Sequence, residues 1–340
     1  MRAKAVAVSL IGASFVSAGA AIAEHSREGE GGARQNAREA AACDRACLIA
    51  FMDEFRAALL AHDPTRLSLA SRARYTENTI TLPIGKGLWA TANSFGNFKQ
   101  YFADPTSRQV AFIGVVKEND IPAILAVRLK VENRRISEIE AIVPRETQGA
   151  ARLEATGGPL PLWDEVLSPS ERRSREQLTT ITNSYFEAIL HSNGRLAPFD
   201  KNCRRAENGF YSVLNPDPTL AWDPKSSFRP YKLGCEEQLN TGIWSYIRNI
   251  RERRFPIVDE ERGLVVAFVV FDHPGTVPYF EAPGYGRVNN PPEFLKPNSM
   301  SILEAFKIKN GLILQVAAEG GFLPFGIGSG WETIAERSLP

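Results

Sequence analysis

The chain says one thing twice. Arg74-Tyr75-Thr76-Glu77-Asn78 returns 130 positions later as Arg204-Arg205-Ala206-Glu207-Asn208, without a gap. At the same offset, Leu48, Phe51, Phe55, Leu59 and Leu60 overlie Leu178, Ile181, Tyr185, Ile189 and Leu190. Gly87-Leu88-Trp89 has an echo in Gly242-Ile243-Trp244, and Leu129-Lys130-Val131-Glu132-Asn133 one in Phe306-Lys307-Ile308-Lys309-Asn310. A period this long marks a duplicated domain and argues against a solenoid of short repeats. A unit of roughly 110 to 160 residues is of ordinary domain size. The fold must therefore be one that can be laid down twice.

Each copy opens on a helix. Asp44 precedes apolar residues at 47, 48, 51, 52, 55 and 59, a helical stripe. Asp63-Pro64 stops it, because the residue before proline avoids helical backbone. In the second copy, Ser174-x-x-Gln177 is a capping box. The first copy then reads as a short helix over 65–70, a strand over 74–82, a turn over 83–87 and a helix over 91–102 that Asp104-Pro105 ends. Strands over 109–116, 123–132 and 136–143 follow, with turns at Asn119-Asp120 and Asn133-Arg134-Arg135. The second copy reads as strands over 264–271, 299–309 and 312–318. Its basic run from Arg248 to Arg254 reads as a solvated helix end. Two proline-rich loops, over 215–231 and 273–298, are long enough to carry function or to cover something.

The N-terminus has an address. Arg2 and Lys4, an apolar stretch from Ala5 to Ala20 and the small-residue site Ala21-Ile22-Ala23 form a secretory signal over residues 1–23. Residues 24–42 are a polar, flexible leader. The first domain spans 43–147, a Gly/Pro/Ala-rich linker 148–170, and the second domain 171–340. The expected location is periplasmic or secreted, and no later run approaches the roughly 18 to 20 apolar residues of a membrane span. A net charge of +1 gives no reason to expect nucleic acid or an anionic membrane as partner. In an oxidising compartment Cys203 and Cys235 are expected to pair. Cys43 and Cys47, four apart, allow a bridge that is geometrically tight. No histidine or cysteine pair stands at metal-ligand spacing.

With His62-Asp63-Pro64 ending the first long helix, Tyr75-Thr76-Glu77-Asn78 after it and an antiparallel meander closing the unit, the pattern resembles the nuclear transport factor 2-like fold, the SnoaL-like α+β cone, present twice. The strings Leu88-Trp89-Ala90-Thr91 and Pro324-Phe325-Gly326-Ile327-Gly328-Ser329-Gly330-Trp331 resemble a secreted family of bacteria and fungi known mainly as a domain of unknown function. The resemblance implies two tandem cone-shaped units, each a curved antiparallel sheet packed on its long N-terminal helix, with a pocket open at one end. Ketosteroid isomerase, scytalone dehydratase and SnoaL-type cyclases, which move protons without a cofactor, share that fold. Other members bind partners or assemble, so the fold leaves function open. Sheet faces in it often pair, which leaves open a homodimer or a pairing of the two copies within one chain.

Glu304 is the first candidate for chemistry. Strand alternation puts it on the face of Ile302, Phe306 and Ile308. An acid among apolar neighbours is costly unless paired or protonated, and its pKa should rise, as a general acid or base near neutral pH requires. The competing reading is a structural ion pair with an arginine such as Arg204. His273, at the end of an apolar strand, and Tyr185, within the long helix's stripe, complete the catalytic candidates. Glu207, Asn208, Arg204, Trp244 and Phe306 are the candidate substrate-binding residues; Glu207 and Asn208 have a structural alternative, since Glu-Asn recurs in both copies. His62 and His191 read as helix-terminating residues. No nucleophile elbow, phosphate-binding glycine loop or H-E-x-x-H pattern is present. The expected activity is a cofactor-independent lyase or isomerase acting on a hydrophobic, aromatic small molecule by elimination, dehydration, loss of a small carbonyl or cyclisation. The loop over 273–298 would be its lid. The alternative is a non-catalytic secreted protein that binds a small molecule in the same pocket.

Overall fold

Asp44 sets the start of the first element. Its carboxylate accepts the Cys47 N–H at 2.8 Å and caps α1 (Arg45–Leu60), whose buried face is Leu48, Phe51, Met52, Phe55, Ala58 and Leu59. The computed structural model containing it describes residues 43–331 apart from Pro224, and the signal peptide and leader read over 1–42 lie outside these. After a 3-10 turn at Pro64–Arg66 come β1 (Leu69–Glu77), β2 (Ile80–Leu82) and α2 (Leu88–Thr91). A meander follows: β3 (Ala92–Asp104), β4 (Gln109–Glu118), β5 (Ile121–Glu132) and β6 (Arg135–Ile142).

Then α3 (Thr147–Ala155) leads to the second half. α4 (Arg175–Leu190) has the full Ser174–Gln177 capping box. β7 (Phe199–Glu207), β8 (Phe210–Tyr211), α5 (Cys235–Asn240), β9 (Asn249–Asp259) and β10 (Leu264–His273) follow. A small hairpin of β11 (Tyr279–Ala282) and β12 (Gly286–Asn289) precedes β13 (Asn298–Lys309) and β14 (Leu312–Leu323). The protein is mixed α+β, with two six-stranded sheets in the orders β2-β1-β6-β5-β4-β3 and β8-β7-β14-β13-β10-β9. In each, the first long strand runs parallel to the last and the other pairings are antiparallel.

The repeated residues have mechanical roles in this layout. Asn78 and Asn208 stand in left-handed backbone, φ 46° and 44°, which asparagine tolerates better than most residues. Asn78 donates to the Val143 carbonyl and accepts the Val143 N–H, and Asn208 does the same with Gly320. Each clamps the end of its first long strand to the segment that follows or ends the last. Gly87 and Gly242, both at positive φ, let the chain turn before the repeated tryptophans. A Cβ on Gly87 would stand 2.2 Å from a carboxylate oxygen of Glu77.

Five local expectations are corrected. Residues 91–102 form most of β3 rather than a helix: Asn93, Ser94, Gly96 and Asn97 are weak helix formers, and pairing with β4 decides the outcome. The helix over 65–70 shrinks to the 3-10 turn, and the strand over 74–82 breaks at Asn78 and Thr79, both at positive φ. The linker contains α3, whose Ala150 and Leu153 are buried. The basic run 248–254 lies mainly in β9, where Arg251, Arg253 and Arg254 pair with Asp272, Glu187 and Glu140.

The two sheets pack back to back. Phe102, Ile113, Ile124 and Ala126 of one meet Ile257, Val266, Phe268, Leu303 and Ala305 of the other in a shared core. Beside it, buried Glu140 receives Arg128 from its own sheet at 2.9 Å and Arg254 from the other at 2.6 Å. Disulfides join Cys43 to Cys47 and Cys203 to Cys235. No helix among the described residues is long and apolar enough to cross a membrane.

Glu140→Ala leaves Arg254 without its carboxylate partner and Arg128 with Glu138 alone. It should cost roughly 3–5 kcal/mol, read from urea denaturation. A loss below about 1 kcal/mol would mean that the Glu140 ion pairs contribute little to the join between the sheets.

Candidate active site

β13 alternates as its sequence requires: Ile302, Phe306 and Ile308 join the second half's inner core, while Leu303 and Ala305 join the core between the sheets. Glu304 goes inward with the first set. Its neighbours across the strands are Ala267 of β10 and Ala318 of β14, both too small to fill the space above the sheet. The carboxyl is 1% exposed. Oε1 accepts the Tyr185 hydroxyl at 2.7 Å, and Oε2 has no hydrogen-bond partner. Burial raises the Glu304 pKa to about 7; Arg205 and the Tyr185 hydrogen bond pull it down, and Glu207 adds to the rise. Tyr185, on the buried face of α4, is itself pushed well above its ordinary pKa by burial.

The arginine near this carboxyl is Arg205. Its guanidinium carbon sits 4.4 Å above the Trp244 ring and 5.8 Å from that of Tyr185. Nη2 is 3.0 Å from Glu207 Oε1, but Nε and Nη1 make no hydrogen bond. Arg204 is exposed and lies over Tyr211, outside the cavity. Adjacent residues on a strand point to opposite faces, so moving the expected partner from Arg204 to Arg205 moves it across the sheet. Phe306 is likewise outside the cavity lining: it packs edge-on behind Tyr185, ring centres 5.0 Å apart.

Glu304, Arg205, Glu207, Asn208, Trp244 and His273 all line one cavity of ≈ 320 Å³. Asn208 spends its amide on Gly320 and has a structural role there. His273 is 1% exposed, set edge-on to Tyr246 with ring centres 5.1 Å apart, and the Asn298 side chain stands beside its ring. Burial lowers its pKa to about 4, so the ring is neutral at physiological pH. No hydrogen bond joins it to Glu304; the two reach each other only across the cavity.

Several cavity-lining side chains are not among the residues expected from the sequence. The two long loops supply Trp222, Tyr231 and Phe294, and Tyr246 lies just before β9. Phe294 stacks on Tyr246 at 4.2 Å and on Trp222 at 5.6 Å. Glu146 and Arg152, from the segment joining the halves, also line the cavity. The aromatic residues of the proline-rich loops were the available signal for the wall. For Arg205 it was the offset of 130 that sets it on Tyr75.

In the first half, Phe55, Tyr75 and Val127 stand where Tyr185, Arg205 and Glu304 stand in the second. The register supports this, because Val127 pairs with Ala141 and Ala141 with Glu77, as Glu304 pairs with Ala318 and Ala318 with Glu207. There Phe55 packs edge-on against Trp89 at 5.5 Å. Glu77 is fully occupied by the Tyr75 hydroxyl, the Leu88 N–H and Arg145. Among the described residues, no group of three or more His, Cys, Asp and Glu side chains is placed to hold a metal ion.

A family model described as a domain of unknown function (DUF8021) matches residues 171–319, a span that includes Tyr185, Arg205, His273 and Glu304. No curated protein matches the chain.

The two shifted groups act on stability with opposite sign. Glu304, raised, stabilises fully below pH 4.5, and that contribution is lost as pH rises through about 7. His273, lowered, stabilises above pH 6.5, and its contribution is lost as pH falls through about 4. Over the shared window the two nearly cancel. Subtracting the Glu304→Gln stability curve from that of the unmodified protein isolates Glu304: the difference should fall by about 3 kcal/mol between pH 4.5 and 7. A flat difference in urea titrations would mean that Glu304 titrates normally.

Proposed function

We propose that the second half is a cofactor-independent lyase or isomerase that moves a proton on a hydrophobic, aromatic small molecule. In this reading the chain is a tandem of nuclear transport factor 2-like, SnoaL-like cones in a periplasmic or secreted protein, and the first cone is a scaffold. The observation that carries it is the threefold exchange between equivalent positions. Phe55, Tyr75 and Val127 become Tyr185, Arg205 and Glu304, so where the first copy has core side chains the second lines a cavity with a guanidinium and a carboxyl, the carboxyl held by the Tyr185 hydroxyl, which itself lies outside the lining. Stability alone gives no reason to replace a core valine by a buried acid.

The roles follow from the contacts. Tyr185 occupies Oε1 of Glu304 and fixes the carboxyl's orientation, so Oε2 is the oxygen free to take or give the proton. A carboxyl with a pKa near 7 is matched to that task at neutral pH. Neutral His273 faces the same cavity with one nitrogen able to donate and the other to accept, and it polarises the substrate oxygen. Phe294, carried on the loop after β10, covers the cavity and excludes water. This chemistry calls on no metal or organic cofactor.

A binding protein without catalysis is the second reading, favoured by the continuous aromatic wall of Trp222, Tyr246 and Phe294. Carboxyl NMR titration separates the two, with Glu304→Gln as the assignment control. Proton transfer requires a Glu304 pKa above about 6, and Tyr185→Phe should raise it further, because the lost hydrogen bond favours the ionised form. A value near or below about 4 would make Glu304 a paired structural acid and the protein a binder.

A further inference from the structure

The second half's cavity contains a cation that its own protein neighbours do not satisfy. Arg205 is 5% exposed, and a buried guanidinium has five N–H donors to place. Glu207 meets only Nη2, at 3.0 Å; Nε and Nη1 make no hydrogen bond, and the Trp244 ring beneath offers a face rather than a lone pair. A buried charged group left in that state is costly. The equivalent Tyr75 has a single proton to place and gives it to Glu77 at 2.7 Å. At this position the first half is closed and the second is left open.

Glu304 adds a second donor. With Oε1 accepting from Tyr185, a protonated Glu304 carries its hydrogen on Oε2, which has no partner. This end of the cavity therefore presents an acid O–H and a guanidinium whose one carboxylate neighbour, Glu207, lies at Nη2, so Nε and Nη1 are open to a further acceptor. The rest of the wall is aromatic: Trp222, Tyr246, Phe294, Phe271 and Phe322.

We infer that the cavity takes a planar aromatic compound bearing one carboxylate, and that Arg205 is the residue that binds that carboxylate. The inference rests on the proton-transfer reading only for the identity of the cavity. An ionised acid on the ligand supplies the missing acceptor for the guanidinium and accepts from Glu304, and its ring system lies against the loop aromatics. Charge-assisted hydrogen bonds of this kind are about twice as strong as neutral ones.

Isothermal titration calorimetry of the full chain with 2-naphthoate and 2-naphthamide tests this, because the two probes share a ring system and differ in charge. The expected result is that the naphthoate binds at least about tenfold more tightly. Arg205→Tyr, which installs the first half's residue, should bring the two affinities together by weakening the naphthoate alone. Equal affinities in the unmodified protein, no binding of either probe, or a preference that survives Arg205→Tyr would each overturn the inference. The comparison within the unmodified protein decides the matter even if the variant does not fold. The Glu304 titration is measured without ligand, so the readings fail separately. A raised Glu304 pKa without carboxylate preference removes only the ligand class, and carboxylate preference with an ordinary Glu304 pKa removes only the proton transfer.

Discussion

Back-to-back packing of the two sheets governs the rest of the molecule. A sheet has two faces, and here one face of each is spent on the other, through Phe102, Ile113, Val266, Phe268 and Leu303. The opposite faces must then be closed by each half's own helix and loops. In the first half, α1, Trp89, Tyr75 and Phe112 fill the space. In the second, α4 fills one part, and residues from the long loops roof the remainder without filling it. The cavity is the volume that a duplicated layout leaves when its filling side chains are exchanged for polar ones.

The join between the sheets is not wholly apolar. Glu140 sits between Arg128 and Arg254, Asp104 takes Arg175 and the Val258 N–H, and Arg45 reaches Asp259. Buried ion pairs contribute less to net stability than their attraction suggests, because desolvation offsets it. Their geometry is specific, however, and a slip of one strand would strand several charges at once. They therefore fix how the halves meet, while the apolar core supplies the cohesion. The cavity has a different balance. Burial raises the pKa of its acid to about 7 and lowers that of its imidazole to about 4, and beside them Arg205 lies 3.0 Å from Glu207.

Three inward positions separate the halves: Phe55, Tyr75 and Val127 in the first, Tyr185, Arg205 and Glu304 in the second. The devices that hold the fold are kept: the Asn clamp, the turn glycine before each tryptophan, the strand order and the parallel closing pair. Among what differs are the inner set and two long loops of the second half.

Much of this was legible in the sequence. The duplication, both long helices, the three meander strands of the first half, the inward direction of Glu304 and the Cys203–Cys235 bridge follow from local rules: offset, period and compartment. Residues 91–102 were not legible, because a run with weak preference becomes strand only when β4 is present to pair with it. Nor was the choice of Arg205 over Arg204, since two adjacent arginines look alike until the strand's register assigns one to each face. The sequence by itself determined that there are two units of one kind and that an acid faces inward among apolar residues. Only the tertiary structure decided that this acid meets Tyr185 and lies near Arg205, and that loops distant in sequence close a cavity over it. The physical reason is range: helical period and strand alternation are set by neighbours a few residues away, whereas burial and the pKa of a carboxyl depend on whatever the chain brings alongside it.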